Sequence, residues 1–250
     1  MARRDETPDT QPRHQTGAIS SGRDVRRMFD RIVPRYDLMN HVMTFGLDIH
    51  WRSMVAKQAA TLAGRASERV LDVATGTGDL AFAIQKAGVP DVVGVDFSEG
   101  MIATATRKAA KHPAGVEFLV GDGMRLPFAD GTFDACTISF GLRNMEDYTA
   151  AIREMTRILR PGGKFICLEM TPFRRPFLGP LFRFYFERVV PVVGGILSGS
   201  YRSYRYLPQS VRGFPPADGL AEICRIAGLA DVRYQLLGFG TVAIHSGIKE

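Results

Sequence analysis

The chain has 250 residues, of which 45% are hydrophobic and 23% are charged, proportions that exclude a collagen-like, disordered or low-complexity protein. The longest strongly apolar stretch, residues 189–197, is too short to span a bilayer, and three cysteines are too few for a disulfide framework or a zinc site. The polar, arginine-rich N-terminus lacks the apolar region of a signal peptide, so the sequence predicts a cytoplasmic protein.

The positive charge is confined to two segments of the chain. Residues 1–35 carry +3 and residues 172–209 carry +5, whereas residues 36–171 carry −2 and residues 210–250 are neutral. A nucleic acid, an anionic membrane or plain solubility each accounts for basic segments of this kind. Charge alone therefore leaves these three uses open.

The first 62 residues predict a tail followed by a helical cap. Residues 1–22 contain two prolines, two glycines and mostly polar side chains, which indicates a disordered tail. Apolar residues at helical spacing begin at Val25, and a second helix is expected from His50 to Leu62. Residues 24–62 form the predicted cap of a single domain that covers residues 23–250.

Short apolar runs alternate with helical patterns from residue 69 onward. The predicted strands cover residues 69–74, 92–96, 117–120, 133–139 and 164–169. The predicted helices between them cover residues 79–87, 98–110 and 145–159. This alternation predicts an α/β fold with a mostly parallel sheet and helices on both faces.

The rest of the chain departs from this alternation. Residues 172–209 are rich in Pro, Gly and aromatic side chains and are interpreted as an insertion. A helix at residues 220–227 and strands at residues 232–237 and 241–246 follow. Because only Gly-Phe-Gly lies between these strands, the sequence predicts a C-terminal antiparallel hairpin.

A glycine-rich turn follows the first strand of the predicted sheet. Gly76 and Gly78 come after Asp72 and precede a helix, and glycines there allow unusual dihedral angles and the close approach of a ligand. Asp96 ends the next strand, where a carboxylate can bind both hydroxyls of a ribose. These residues predict an adenosine-containing ligand at the carboxyl edge of the sheet.

Two ligands fit this turn, NAD and S-adenosylmethionine (SAM). The glycine spacing alone also matches the loose dinucleotide fingerprint. Asp72 suits an amino-acid ammonium group or the turn amides better than a pyrophosphate, and Asp122, within a Gly-Asp-Gly segment, can accept a hydrogen bond from an adenine amino group. A Pro-Gly-Gly turn at residues 161–163 completes a series that resembles class I methyltransferases. This resemblance implies SAM as the methyl donor, a Rossmann-like fold and no metal.

Three segments resemble one family, the quinone-biosynthesis C-methyltransferases. They are Tyr36-Asp37-Leu38-Met39-Asn40 with the residues up to Trp51, residues 138–144, and residues 157–171 together with residues 204–212 and 242–245. The resemblance extends over residues 24–247. The positions that depart from the family's pattern are Thr44, Asp48, Thr171 and Ser200.

The resemblance implies methylation of a ring carbon of a polyprenylated quinol. Gly46-Leu47-Asp48 is closer to the menaquinone branch, whose substrate is demethylmenaquinol, than to the ubiquinone branch, whose substrate is the corresponding benzoquinol. Methylation of another small phenol or lipid stays open, as does an NAD-dependent oxidoreductase on the glycine turn alone. A nucleic-acid partner is disfavoured because residues 139–144 lack the Asn/Asp-Pro-Pro-aromatic motif of nucleobase amine methyltransferases. RNA cytosine-C5 methyltransferases need an exposed nucleophilic cysteine, whereas Cys136 lies within an apolar strand.

The resemblance also implies roles for individual residues. The positions that match SAM contacts are Thr77, Asp96, Asp122, Gly123 and Ser139, with Asp72, Gly76 and Gly78 in and before the glycine turn. Methyl transfer to a quinol carbon needs a group that accepts a proton or stabilises a phenolate. Arg143 and Tyr36 are the candidates, and because arginine stays protonated, Arg143 suits phenolate stabilisation or the orientation of a water. The alternative proton acceptors are Asp37, His41 and His245.

Residues 172–209 predict how a lipid substrate enters. They contain nine aromatic residues, six arginines and one acid. An apolar entrance and a transient contact with an anionic membrane surface fit this composition, and so does an ordinary helical cap whose aromatic residues pack in the core. A homodimer is one of the oligomeric states that the sequence leaves open.

Overall fold

The structure is a computed structural model that describes residue 33 and residues 36–62, 65–111, 115–173, 184–192, 195 and 201–250. The predicted tail at residues 1–22 and the predicted helix that begins at Val25 lie outside the described residues. None of the described helices is long and apolar enough to cross a membrane.

Seven strands form the central sheet, and two short strands form a separate antiparallel ribbon. The ribbon consists of β1 (Thr61–Leu62) and β2 (Arg65–Ala66). The sheet consists of β3 (Arg69–Val73), β4 (Asp91–Asp96), β5 (Val116–Val120), β6 (Phe133–Ser139), β7 (Leu159–Met170), β8 (Leu229–Leu237) and β9 (Val242–Lys249).

The strand order confirms the predicted fold. The order across the sheet is β5-β4-β3-β6-β7-β9-β8. Strands β3 to β7 run parallel to one another, whereas β9 runs antiparallel to both β7 and β8. This is the mostly parallel α/β sheet with a C-terminal antiparallel hairpin that the sequence predicts.

The strand order changes direction beside β3. The chain moves outward from β3 through β4 to β5, and it then returns to place β6 on the other side of β3. In open α/β sheets, ligands bind at such a switch point, beyond the carboxyl ends of the strands. The topology therefore places the candidate site beyond Val73 and Ser139, which end β3 and β6.

The described residues give the bounds of seven α-helices. They are α1 (Tyr36–Thr44), α2 (Leu47–Ala59), α3 (Asp79–Lys86), α4 (Glu99–Ala109), α5 (Tyr148–Arg157), α6 (Tyr201–Arg212) and α7 (Ala217–Ile226). A π-helical turn covers Tyr185–Val189, and 3₁₀ turns cover Leu142–Asn144 and Gly238–Gly240.

Helices pack on both faces of the sheet, as neighbouring residues of β3 illustrate. Val70 packs with Val55 of α2 in one core cluster, and Leu71 packs with Ile152 of α5 and Leu220 of α7 in the other. Successive strand residues point to opposite faces, so the unbroken apolar run of β3 requires cover on both sides.

All three cysteines are buried in this core. Cys136, Cys167 and Cys224 are each at most 1% exposed. Burial raises the pKa of all three thiols, that of Cys224 to about 12, so they are protonated at neutral pH. Cys136 is therefore a core residue, as its apolar strand predicts.

The predicted helix at residues 145–159 is wrong at both ends. Helix α5 begins only after Asp147, whose side chain accepts a hydrogen bond from a backbone N–H of the first turn. It ends at Arg157, because Leu159 already pairs with Phe133 in the sheet. Strand β7 consequently begins before its predicted first residue.

The cap also differs from its prediction. The helix expected from His50 to Leu62 covers Leu47–Ala59 instead. Gly46, with φ of 75°, makes the turn from α1 into α2, and this left-handed conformation is one that glycine adopts easily. Helix α6 has no counterpart among the predicted elements, since Pro208 lies inside it.

Candidate active site

The glycine-rich turn joins β3 to α3 at the switch point of the sheet. Ala74, Gly76 and Gly78 all have positive φ, of 52°, 58° and 90°. A Cβ atom on Gly78 would lie 2.7 Å from the ring of Phe118, so this position has no room for a side chain. The structure thus explains the glycines that the sequence places here.

Asp96 ties this turn to the end of β4. Asp96 is 6% exposed, and its carboxylate accepts hydrogen bonds from the backbone N–H of Gly76 and of Ser98, both at 2.9 Å. Each carboxylate oxygen can accept more than one hydrogen bond. The predicted contact with ribose hydroxyls stays a prediction beside this structural role.

Asp72 is an anion beneath the turn. It is 1% exposed and accepts hydrogen bonds from the hydroxyls of Thr75 (2.7 Å) and Thr137 (2.8 Å). Burial raises the pKa of Asp72 to about 6, against the opposing effect of both hydroxyls and of Arg52. At neutral pH the carboxyl is therefore mostly ionised.

A cleft opens beside Asp72 and the turn. Its lining residues are Arg52, Asp72, Ala74, Thr75, Gly76, Thr77, Asp79, Leu80 and Ser139. Four predicted site residues, Asp72, Gly76, Thr77 and Ser139, are thus brought together. The buried hydroxyl of Ser139 has no hydrogen-bond partner among the described residues, and such an orphan at a cleft suits a polar ligand atom.

Asp122 and Gly123 follow β5, outside the lining of this cleft. Asp122 accepts a hydrogen bond from the backbone N–H of Met124 at 2.9 Å, and so shapes the turn. A Cβ atom on Gly123 would lie 2.7 Å from the end of the Met145 side chain, so the backbone packs closely there. Their predicted contact with adenine stays a prediction.

Arg143 lies in the 3₁₀ turn after β6 and is held by a buried acid. Its Nη1 donates to Glu169 Oε1 and to the carbonyl oxygen of Phe140, both at 2.6 Å. Its backbone N–H also donates to Glu169 Oε2 at 3.2 Å. Arg143 is 6% exposed and Glu169 is 1% exposed. Glu169 was missed by the sequence predictions, although it is a single acid in the apolar run of β7.

Helix α6 contacts the same turn. Tyr206 is buried, and its hydroxyl donates to Asn144 Oδ1 at 3.0 Å. Of the other predicted aromatic residues, Phe186 is buried and Phe184 is exposed. The side chains of Phe177, Phe182, Tyr201 and Tyr204 lie outside the described part of the chain. Tyr206 and Phe186 thus fit a packed core, and Phe184 fits an apolar entrance.

Helix α1 is fastened to the glycine-rich turn by Lys108. The Lys108 ammonium donates to Asp37 (2.6 Å), to Asp79 (2.8 Å) and to Thr77 (3.1 Å). Partial burial lowers the pKa of Lys108, but its hydrogen bonds to both carboxylates outweigh this and raise the pKa overall. Asp37, an alternative proton acceptor, is therefore paired with a cation. The side chain of Tyr36, which starts α1, lies outside the described part, so its catalytic role stays a prediction.

A second buried acid organises the junction of α1 and α2. Asp48 is fully buried and accepts from Thr44 Oγ1 (2.7 Å) and from Arg52, and it lies 2.9 Å from His41 Nδ1. Burial alone raises the pKa of Asp48, but these partners outweigh it and lower the pKa. Arg52 was also missed by the sequence predictions; the available signal was the i,i+4 spacing of opposite charges.

His245 is not among the residues that line the cleft. It is 1% exposed, its Nε2 lies 2.8 Å from the carbonyl oxygen of Ala217, and its ring stacks on Tyr234. Burial lowers the pKa of His245, so the ring is neutral at physiological pH. It therefore acts as a contact between β9 and α7. Among the described residues, no cluster of His, Cys, Asp and Glu could hold a metal ion, and the prediction of no metal stays a prediction.

Comparison with known proteins gives matches over most of the chain. The sequence model of the ubiE/COQ5 methyltransferase family matches residues 17–249. A demethylmenaquinone methyltransferase of Thermus thermophilus is 47% identical over 222 residues, which cover 88% of this chain and 99% of the relative. A ubiquinone/menaquinone biosynthesis C-methyltransferase of Desulfotalea psychrophila is 40% identical over 233 residues, 92% of each chain.

Solved structures show the same fold at low identity. A SAM-dependent methyltransferase of Thermotoga maritima superposes with a TM-score of 0.61 at 21% identity and covers 90% of this chain and 99% of its own. The [4+2]-cyclase SpnF superposes with a TM-score of 0.68 at 19% identity and covers 93% and 97%. Because two such different activities share the architecture, these structures establish the fold alone.

Proposed function

Because the chain belongs to the ubiE/COQ5 methyltransferase family, we propose that it transfers a methyl group from SAM to a ring carbon of demethylmenaquinol, a polyprenylated quinol. The observation that carries this proposal is the 47% identity to a demethylmenaquinone methyltransferase over 99% of that relative. Family membership also disposes of the NAD-dependent alternative, which depended on the glycine spacing alone.

The cleft at the switch point fits SAM. An orphaned buried hydroxyl at Ser139, a turn without room for a side chain at Gly78 and an anion at Asp72 are features that an adenosine ligand with an ammonium group would use. SAM supplies a methyl group bound to a positively charged sulfur. Transfer to carbon is an in-line displacement, so the protein's main task is alignment in a dry pocket.

Arg143 is the proposed stabiliser of the quinol oxygen. As a quinol carbon attacks the methyl group, negative charge at the adjacent hydroxyl must be stabilised or its proton must be removed. The Arg143 guanidinium is buried and always protonated, which suits the first task. Glu169 holds it in place, so no reorganisation is needed during the reaction. Tyr36 is the second residue proposed for this step.

We also infer that the quinol tail enters between α1 and the π-helical turn. Phe45 is 79% exposed, Leu38 is 55% exposed and Phe184 is 62% exposed. Phe45 stacks on Tyr185 with ring centroids 6.2 Å apart, which joins the two elements. Together with the charge of +5 on residues 172–209, this apolar surface supports the proposed transient contact with an anionic membrane.

Methylation of the benzoquinol of ubiquinone biosynthesis is the second candidate. The relative from Desulfotalea psychrophila, at 40% identity, carries both quinones in its name. The two candidates differ in ring system and not in the reaction.

One experiment tests both candidates. Purified protein is incubated with SAM and either a reduced demethylmenaquinone analogue or the benzoquinol, and the product mass and ring position are determined. We expect methylation of a ring carbon of the naphthoquinol. Methylation at oxygen, or of neither compound, would contradict the proposal; methylation of the benzoquinol alone would select the second candidate.

A further inference from the structure

The cleft is lined by one cation, Arg52, and by two acids, Asp72 and Asp79, of which Asp79 is already paired with Lys108. Arg52 comes from α2 and Asp72 comes from β3, and both line the cleft. Arg52 is 8% exposed and Asp72 is 1% exposed, so bulk water screens neither charge strongly. Both residues line the same cleft, and the positive charge of Arg52 opposes the rise in the pKa of Asp72.

Arg52 is held in a fixed orientation. Its Nη1 donates to the fully buried Asp48, and its guanidinium carbon lies 5.8 Å from the centre of the Phe140 ring. Asp48 is itself fixed by Thr44 and His41. A guanidinium has five N–H donors in one plane, and its single hydrogen bond to a described side chain occupies Nη1. Asp48 is therefore a brace that orients the guanidinium of Arg52 through Nη1 and does not occupy its remaining donors.

A cation and an anion that line the same cleft match a zwitterion. The methionine end of SAM has a carboxylate and an ammonium group on the same carbon. Arginine binds carboxylates through two parallel hydrogen bonds, and a buried carboxylate binds ammonium groups. NAD and other adenosine ligands without an amino acid would offer neither a carboxylate to Arg52 nor an ammonium group to Asp72.

We propose that Arg52 binds the carboxylate of the methionine part of SAM, with Asp72 on the ammonium side. Arg52 is thus a specificity-determining residue that distinguishes amino-acid-bearing adenosine ligands from those without an amino acid. This inference rests on the SAM-binding part of the proposed function and is independent of the quinol.

Two ligands test this role by calorimetry. S-adenosylhomocysteine contains the amino acid, whereas 5′-methylthioadenosine contains the same nucleoside and a thioether without it. We expect Arg52→Gln to weaken S-adenosylhomocysteine binding about tenfold to a hundredfold and to leave 5′-methylthioadenosine binding unchanged. Arg52→Lys, which keeps the charge but not the paired donors, should weaken S-adenosylhomocysteine binding less, and it serves as well if the Gln variant does not fold.

Arg69 offers a matched control. Its guanidinium also lies over an aromatic ring, 5.1 Å from the centre of Phe133, and pairs with Asp91 at 3.0 Å, but it is not part of the cleft. Arg69→Gln should leave both affinities unchanged. Asp48→Asn, which loosens the brace, should weaken only S-adenosylhomocysteine binding, and by less than Arg52→Gln.

The outcomes separate the inference from its premise. Equal losses for both ligands in Arg52→Gln, or no loss for either, would overturn the role of Arg52. If the unaltered protein bound neither ligand, the proposed SAM-dependent function itself would fail.

Discussion

Two buried arginines, Arg143 after β6 and Arg52 in the cleft lining, are held by buried acids in different ways. Arg143 shares one nitrogen between Glu169 and a backbone carbonyl, and its own backbone N–H returns to the same carboxylate. Arg52 has its acid on one side and the cleft on the other. Glu169 fixes Arg143 in the turn after β6, where we propose that it acts on the quinol oxygen, and Asp48 fixes Arg52, which we propose binds the cofactor. A buried ion pair is therefore informative about function only once its remaining donors are located.

The largest expected effect comes from removing Glu169, the buried partner of Arg143. We expect Glu169→Ala to lower the free energy of unfolding by about 3–5 kcal/mol, because it leaves the buried Arg143 charge without its partner. Urea denaturation measures this change. Glu222→Ala is the control, since Glu222 is 61% exposed beside Arg225 and should change stability by less than about 0.5 kcal/mol. Similar stabilities of the two variants would show that burying Arg143 does not require Glu169 as its partner.

Arg143 itself should affect turnover more than cofactor binding. We expect Arg143→Met to reduce turnover about a hundredfold, as loss of a charge-stabilising donor does, with little change in S-adenosylhomocysteine affinity. Stability is also expected to fall, because Glu169 is left unpaired. The double variant Arg143→Met/Glu169→Gln should recover stability but not turnover. Recovered turnover in the double variant would make Arg143 a structural residue alone.

The titration of Asp72, which lines the cleft with Arg52, predicts how stability and cofactor binding depend on pH. Its pKa is about 6 in the folded protein against 3.8 as the ordinary value, so the folded state holds the extra proton between these values. This group's contribution to stability is therefore greatest below about pH 4 and is lost as the pH rises through about 6. S-adenosylhomocysteine affinity should change in the opposite sense and fall below about pH 6, because the protonated acid no longer attracts an ammonium group.

Comparison of Asp72→Asn with the unaltered protein isolates this group from all others that titrate. Unfolding and calorimetry at about pH 5 and about pH 8 should show a smaller pH dependence of both quantities in the variant. The same pH dependence in both proteins would mean that Asp72 does not titrate in this range.

The smallest effect is expected at Lys108, which joins α1 to α3. Lys108 is 30% exposed and connects Asp37 of α1 to Asp79 of α3. Lys108→Gln should lower the free energy of unfolding by about 0.5–1 kcal/mol and weaken S-adenosylhomocysteine binding a few-fold. Lys86→Gln, at an exposed position on α3, is the control. No difference between the two variants would show that Lys108 contributes only surface charge.

Local patterns predicted the parts of the fold that local forces decide. Strand β6 has its predicted bounds, because an apolar run of β-forming residues lies between two turns. The glycine turn was predicted because glycines allow unusual dihedral angles, and Gly76 and Gly78 do have positive φ. The end of α5 was not, because it depends on the pairing of Leu159 with Phe133, which no helical pattern reveals.

The parts of the site that were missed depend on contacts between distant segments. Lys108 meets Asp37 across 71 positions, and Arg143 meets Glu169 across 26. Arg52 reaches the cleft only because α2 packs against the sheet beside α3. Sequence spacing identifies charges that can pair within one helix, whereas which charge faces a cleft follows from tertiary packing.

The three buried thiols have a consequence for a protein that handles a quinol. Oxidised quinols are electrophiles, and thiolates add to their unsubstituted ring carbons, the same kind of carbon that the proposed reaction methylates. Every cysteine of this chain is buried and has a raised pKa, so the folded protein offers neither a thiolate nor access to one. The fold thereby protects the protein from covalent inactivation by the oxidised form of its proposed substrate.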